Sequence, residues 1–178
     1  VQTYNHAERL AMQLVDGQKA SVPAEDSRRL LTALMSPRTV LVGVGNVLRG
    51  DDGAGPALVD AIRNRCPCVC IDAGHAPENH LGQIVRSQPD TIIFADAVDM
   101  QLDPGQWRLF PARELVGVGF HTHTIPLGQL LDFLSARTGA RAYVLGIQSG
   151  SVALGEPLSR EVNDSLHEIA EIAADSCL

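Results

Sequence analysis

The chain reads as α/β. A single domain is expected, with a mostly parallel, twisted sheet of about five strands sandwiched by helices, preceded by an N-terminal helical arm. Three observations predict this. Short apolar runs at residues 39–44, 69–71, 91–95 and 142–147 alternate with stretches of helical spacing, the pattern of a parallel sheet covered on both faces. A length of 178 residues with 45% hydrophobic composition suits one buried core. Finally, the first apolar run enters a glycine-rich turn that leads to Pro56, a residue well suited to the first turn of a helix.

Taken in order, residues 7–15 read as a helix ended by Asp16-Gly17, and residues 24–35 as a second with Leu30, Leu31 and Leu34 on one side. Ser36-Pro37 breaks it, since proline lacks the N–H and clashes with the preceding turn. Residues 1–38 therefore form a helical extension, and residues 39–178 the α/β domain proper. The extension packs either on the body or on another subunit, which makes self-association through it an expectation. Strand 39–44 follows, then a helix from 53 to 65, strand 69–71, a short helix 79–87 and strand 91–95. The turn Leu102-Asp103-Pro104-Gly105 sets off a strand at 106–110. A helix over 126–137 carries Leu127, Leu130, Leu131 and Leu134 at helical spacing, strand 142–147 comes next, and the last helix runs from about 158 to 174.

The formal net charge of -7 argues against nucleic acid or an anionic membrane surface as partner. No apolar run approaches a membrane span and no secretory signal pattern is visible, so a cytoplasmic location is expected. Of the four cysteines, Cys66, Cys68 and Cys70 alternate along an apparent strand, and Cys177 is near the end. The spacing suits neither a zinc knuckle nor a disulfide between strand neighbours. Three small, buried, reduced side chains are expected, with Cys66 the one candidate for modest reactivity.

The chemistry is expected at the carboxyl ends of the strands. Asp51 and Asp52 lie beyond strand one, Asp72 follows strand two and Asp96 follows strand three. In an open parallel sheet these ends border one crevice where ligands bind. A single strand-end aspartate is ordinary turn chemistry, but a convergent set points to a shared site. His121 and His123 precede a helix, and spacing does not choose between them. Two carboxylates and one imidazole suit a borderline divalent metal with open positions. Two carboxylates could equally share a proton for acid–base work. A dinucleotide site is the rival reading of the glycine turn, with Asp72 as the ribose acid. The third glycine comes two positions late. A carboxylate 4 Å from a phosphate also costs about 1 kcal/mol in water and about 4 at an effective dielectric of 20, which Arg49 alone does not cancel. No nucleophile elbow appears, and residues 149–155 read as a flexible loop of small residues bordering the site.

Gly43-Val44-Gly45-Asn46, Asp51-Asp52-Gly53-Ala54-Gly55, Ile71-Asp72-Ala73-Gly74, Phe94-Ala95-Asp96-Ala97 and His123, in that order, resemble the hydrogenase maturation endopeptidases. The stretches Asp51-Asp52-Gly53-Ala54-Gly55-Pro56, Ala76-Pro77-Glu78-Asn79 and Gly146-Ile147-Gln148 are most similar to the branch serving hydrogenase 3. The resemblance spans nearly everything after residue 40. It implies an endopeptidase that trims the C-terminal extension of a [NiFe] hydrogenase large-subunit precursor once nickel has been inserted. The family's metal-contacting and catalytic positions map onto Asp52, Asp96 and His123, the first being glutamate in many members. Asp51, Asp72 and Asn46 are implied to support the turn or orient those ligands. Nickel, held mainly by the substrate, is the implied metal, and other divalent ions could take its place. The competing functional reading is a non-catalytic nickel-binding or chaperone module that docks on the same precursor.

Overall fold

The computed structural model describes residues 23–112 and 127–176. Among the described residues five strands form one sheet: β1 (Thr39–Val44), β2 (Val69–Gly74), β3 (Thr91–Val98), β4 (Trp107–Pro111) and β5 (Arg141–Gln148). Among the described residues the helices are α1 (Ala24–Leu34), α2 (Ala54–Ile62), α3 (Leu81–Arg86), α4 (Leu127–Thr138) and α5 (Arg160–Asp175), with 3-10 turns at Gly50–Gly53 and Pro77–His80. The spatial order is β2-β1-β3-β5-β4. β1, β2, β3 and β5 run parallel, and β4 pairs antiparallel with β5.

Strand alternation divides the core into two layers. Leu41, Ile93 and Leu145 point to the face covered by α1, α2 and α5. Val42, Phe94 and Val144 point to the face covered by α3 and α4. β1 is buried along all six residues, as a central parallel strand of β-branched residues should be. Each fully buried aliphatic side chain contributes roughly 1.5–3 kcal/mol by removal from water.

Leu30, Leu31 and Leu34 of α1 are buried in the first core layer, so that apolar side is used within the chain. The Ser27 hydroxyl accepts from the Leu109 N–H of β4 at 3.2 Å. That bond occupies a donor on an edge strand that would otherwise be open to pairing. Arg28 of α1 also pairs with Glu168 of α5. The expected segment 7–15 lies outside the described residues.

Several boundaries move. The helix after the glycine turn ends at Ile62, three residues short of the expected 65, and Asn64 takes a left-handed φ of 68°. The expected short helix divides into a 3-10 turn and α3. β2 and β3 run past their expected ends, so Asp72 and Asp96 lie inside strands rather than after them. The reason is pairing: Gly43 faces Asp72 and Asp96 faces Gly146 in register.

The cysteine reading is corrected. β2 begins at Val69, so Cys66 and Cys68 occupy the bend before it and do not alternate along a strand. Pro67 has no N–H to give a ladder, which delays the strand. Cys66 is disulfide-bonded rather than reduced, whereas Cys68 and Cys70 are free thiols 3.7 Å apart. The hydrogen bond to Cys70, together with burial, pushes the Cys68 thiol up. The same bond, aided by Arg63, holds Cys70 down. No described helix is long and apolar enough to cross a membrane.

Candidate active site at the switch point of the sheet

The chain leaves β1 for β2 on one side, then returns to place β3 on the other. The gap between the carboxyl ends of β1 and β3 is therefore the switch point, where an open α/β sheet offers a crevice. The glycine-rich turn after β1 lies there, and its glycines are required by contact. A Cβ on Gly43 would lie 2.4 Å from the Gly55 carbonyl oxygen, and one on Gly55 would lie 2.3 Å from the oxygens of both Val44 and Ala95. Their absence lets the start of α2 rest directly on the backbones of β1 and β3. Gly45 has φ +134°, and a Cβ there would stand 1.8 Å from the Asp52 carbonyl oxygen, a position open to glycine alone.

Asp51 and Asp52 occupy the 3-10 turn Gly50–Gly53, which leads into α2. Neither caps α2, whose N-cap residue Gly53 receives no side-chain bond. Asp51 is fully buried and turns to a different helix. Its Oδ1 accepts from Ser159 N at 2.6 Å, and its Oδ2 accepts from Gly150 N at 2.7 Å, Ser151 N at 3.2 Å and the Ser159 hydroxyl at 2.9 Å. The Ser159 oxygen in turn caps α5 by accepting from Val162 N at 3.3 Å. Burial by itself would raise the Asp51 carboxyl; the donors from Ser159, Gly150 and Ser151 outweigh it and hold the group below its ordinary value. The buried anion at the start of α5 thus meets oriented N–H groups and a helix N-terminus.

Asp52 is only partly buried. Its Oδ2 accepts from Asn46 N at 2.9 Å, while the Asn46 side-chain oxygen accepts from Leu48 N at 3.0 Å. Asn46 N also donates to the Asp52 carbonyl at 3.1 Å. One carboxylate oxygen is thereby fixed, and Oδ1 keeps its acceptor capacity for a ligand. Asp96 is 3% exposed, on β3, and strand alternation places it on the same face as Phe94, the face that α4 covers.

The structure therefore brings the Asp52 turn against the strand that carries Asp96, since the 3-10 turn packs on β3. Asp72 has a different place. It is exposed on β2, and its Oδ1 accepts from Gly74 N at 3.0 Å. It holds the β2 end whose Gly74 carbonyl accepts from Gly45 N at 2.8 Å, and so touches the site through backbone. His121 and His123 lie outside the described residues, in the segment leading to α4. Among the described residues no set of three metal-ligating side chains gathers, so the two aspartates supply at most part of a ligand shell.

Sequence reasoning gives Ser159 no role and Gln148 none beyond the family resemblance. The Gln148 side-chain oxygen accepts from Met100 N at 2.7 Å and Leu102 N at 3.2 Å, bracing the segment that follows β3. A polar residue ending the apolar strand β5 was the available signal. The loop 149–155, expected to be flexible, is instead tied down: Asp51 N donates to Ser151 O at 2.8 Å and Gly155 N to Leu48 O at 2.8 Å.

Comparison with known proteins supplies the lineage. The hydrogenase maturation protease family (HycI) matches residues 58–176. The hydrogenase 3 maturation protease of Escherichia coli K12 is 35% identical over 133 residues, covering 73% of this chain and 85% of that protein. The crystal structure of the [NiFe] hydrogenase maturation protease HycI from Thermococcus kodakarensis superposes with a TM-score of 0.76 at 26% identity, covering 83% of this chain and 98% of that one. The solution structure of the endopeptidase HycI from E. coli gives a TM-score of 0.66 at 34% identity, covering 75% and 86%. With its sheet, its switch-point turn and these relatives, the chain belongs to the hydrogenase maturation protease family and is an endopeptidase.

Proposed function

We propose that this endopeptidase removes the C-terminal extension of a [NiFe] hydrogenase large-subunit precursor after nickel insertion, and that it recognises the nickel its substrate carries. Asp52, Asp96 and His123 are the residues assigned to that contact. The observation that carries the reading is the state of Asp52. Its carboxylate is pinned through Oδ2 to Asn46 N, beside the strand holding Asp96, with Oδ1 left to accept a ligand. Carboxylates and an imidazole suit a borderline divalent ion with open positions.

In this reading the substrate's own cysteines hold most of the nickel, and the enzyme completes its shell only when insertion is finished. Docking on the ion places the scissile peptide at the rim. A rim carboxylate then takes a proton from the attacking water, whose oxygen bonds to the carbonyl carbon. The C–N bond breaks, and the proton leaves with the new amine. The test is a mass shift. Wild-type protein is expected to shorten nickel-loaded precursor and leave the nickel-free form intact, whereas Asp96→Asn and His123→Ala leave both intact. Full-rate cleavage by either variant would overturn the assignment.

A further inference from the structure

Among the described residues few large apolar side chains are exposed, and most of those fall in two neighbouring segments. Val47, Leu48, Phe133, Val152 and Leu154 are the exposed ones among the described residues, at 65, 64, 41, 41 and 75% of their surface. Four of these five belong to two segments, the turn after β1 and the loop after β5, that lie about a hundred residues apart in sequence. The two segments are bound to each other. Gly155 N donates to Leu48 O at 2.8 Å, Gly50 N to Glu156 O at 3.1 Å and Asp51 N to Ser151 O at 2.8 Å. Asp51 adds its carboxylate bonds to Gly150 and Ser151 from beneath. Within the loop, Ser151 Oγ bonds to Glu156, and Ala153 N to Ser151 Oγ at 3.4 Å. The four apolar side chains thus stand on a braced platform.

Resting on the precursor-processing reading, we propose that the ridge of Val47, Leu48, Val152 and Leu154 is the docking surface for an apolar segment of the precursor polypeptide that enters the site at Asp52. Continuity supports this occupant. The ridge and Asp52 share one turn: Asn46, whose N–H holds Asp52, immediately precedes Val47, and the Val47 Cα packs 3.0 Å from where a Gly53 Cβ would be. A peptide lying on this surface would run beside the Asp52 turn. The four side chains carry no charge, so they select apolar neighbours and leave orientation to the acids beyond. Among the described residues the surface offers four apolar side chains, a number that suits a few anchors of a short peptide and falls short of the about 20–30 residues a side that a standard stable interface uses. Preorganisation also removes the ordering cost that mobile loops would add to binding.

The experiment measures binding and cleavage separately. Nickel-loaded large-subunit precursor is titrated against wild type, Leu48→Ser/Leu154→Ser and a Phe133→Ser control, with steady-state cleavage, a thermal melt and sedimentation velocity on each. The expected result is a roughly tenfold or greater rise in Kd and KM for the double variant. Its kcat should stay within about twofold, its melt should be unchanged and the control should be unaltered. Binding lost in the double variant where wild type binds without cutting supports the ridge and overturns the precursor-processing reading. Unchanged Kd and KM in the double variant overturn the ridge and leave the precursor-processing reading standing. A wild-type dimer that the double variant abolishes assigns the ridge to a second copy and overturns the proposal, and a wild type that neither binds nor cuts the precursor overturns both.

Discussion

Asp51 and Asp52 are neighbours in the chain with opposite surroundings. Asp51 is fully buried and accepts four hydrogen bonds from the loop after β5 and the start of α5. Asp52 is partly exposed, and one of its oxygens is held by Asn46 N. The first carboxylate has little acceptor capacity left and serves as a brace. The second keeps an oxygen for a visitor. One 3-10 turn produces both, because successive residues in it point in different directions. Identical acids thus end in different states, one saturated and one with acceptor capacity left, through the donors each one meets.

Four substitutions probe that division. Asp52→Asn should separate activity from stability most widely. The amide oxygen can still accept from Asn46 N, so the melt should move little, while cleavage of nickel-loaded precursor falls about 10²–10⁴-fold, as loss of an acid–base group does. Gly45→Ala attacks the backbone under both acids. With φ +134° and a Cβ 1.8 Å from Asp52 O, it should cost about 3 kcal/mol or more in urea unfolding, if the variant folds.

Asp51→Asn should be costly in stability first and in activity only as the turn loosens. Replacing a charged acceptor of several buried donors costs about 2–3 kcal/mol. The pH dependence has a definite sign. The folded-state Asp51 carboxyl is held below its unfolded value, so its stabilisation is present above the unfolded value of about 3.9 and disappears as pH falls through the lower folded one. Wild type should therefore lose stability more steeply than Asp51→Asn below about pH 4, and parallel acid-unfolding curves would contradict this. Ser159→Ala, the mildest, removes the α5 cap and one of the four Asp51 bonds. It should cost about 1–2 kcal/mol, with kcat near wild type.

Much of this was readable in the chain. Alternating apolar runs marked the sheet, and Gly43 and Gly45 at a strand end marked the tight turn at its switch point, because those features are local. What escaped reading is long-range. Nothing near Asp51 indicates that its partner is Ser159, separated by 108 positions, and nothing before β5 indicates that its loop will be anchored. Strand lengths were underestimated where pairing with β5 carries Asp96 into the ladder. The three cysteines alternate in sequence without alternating on a strand, because Pro67 prevents a strand there.

The bonds from Asp51 to Gly150, Ser151 and Ser159 also impose an order of assembly. During synthesis, the two aspartates leave the ribosome about a hundred residues ahead of the groups that fix them. Until that later stretch arrives and α5 docks, the turn after β1 has neither its brace nor its platform. The turn that carries both aspartates therefore takes its final form only once Ser159 is in place, and a fragment cut short before Ser159 would contain Asp52 on an unbraced turn.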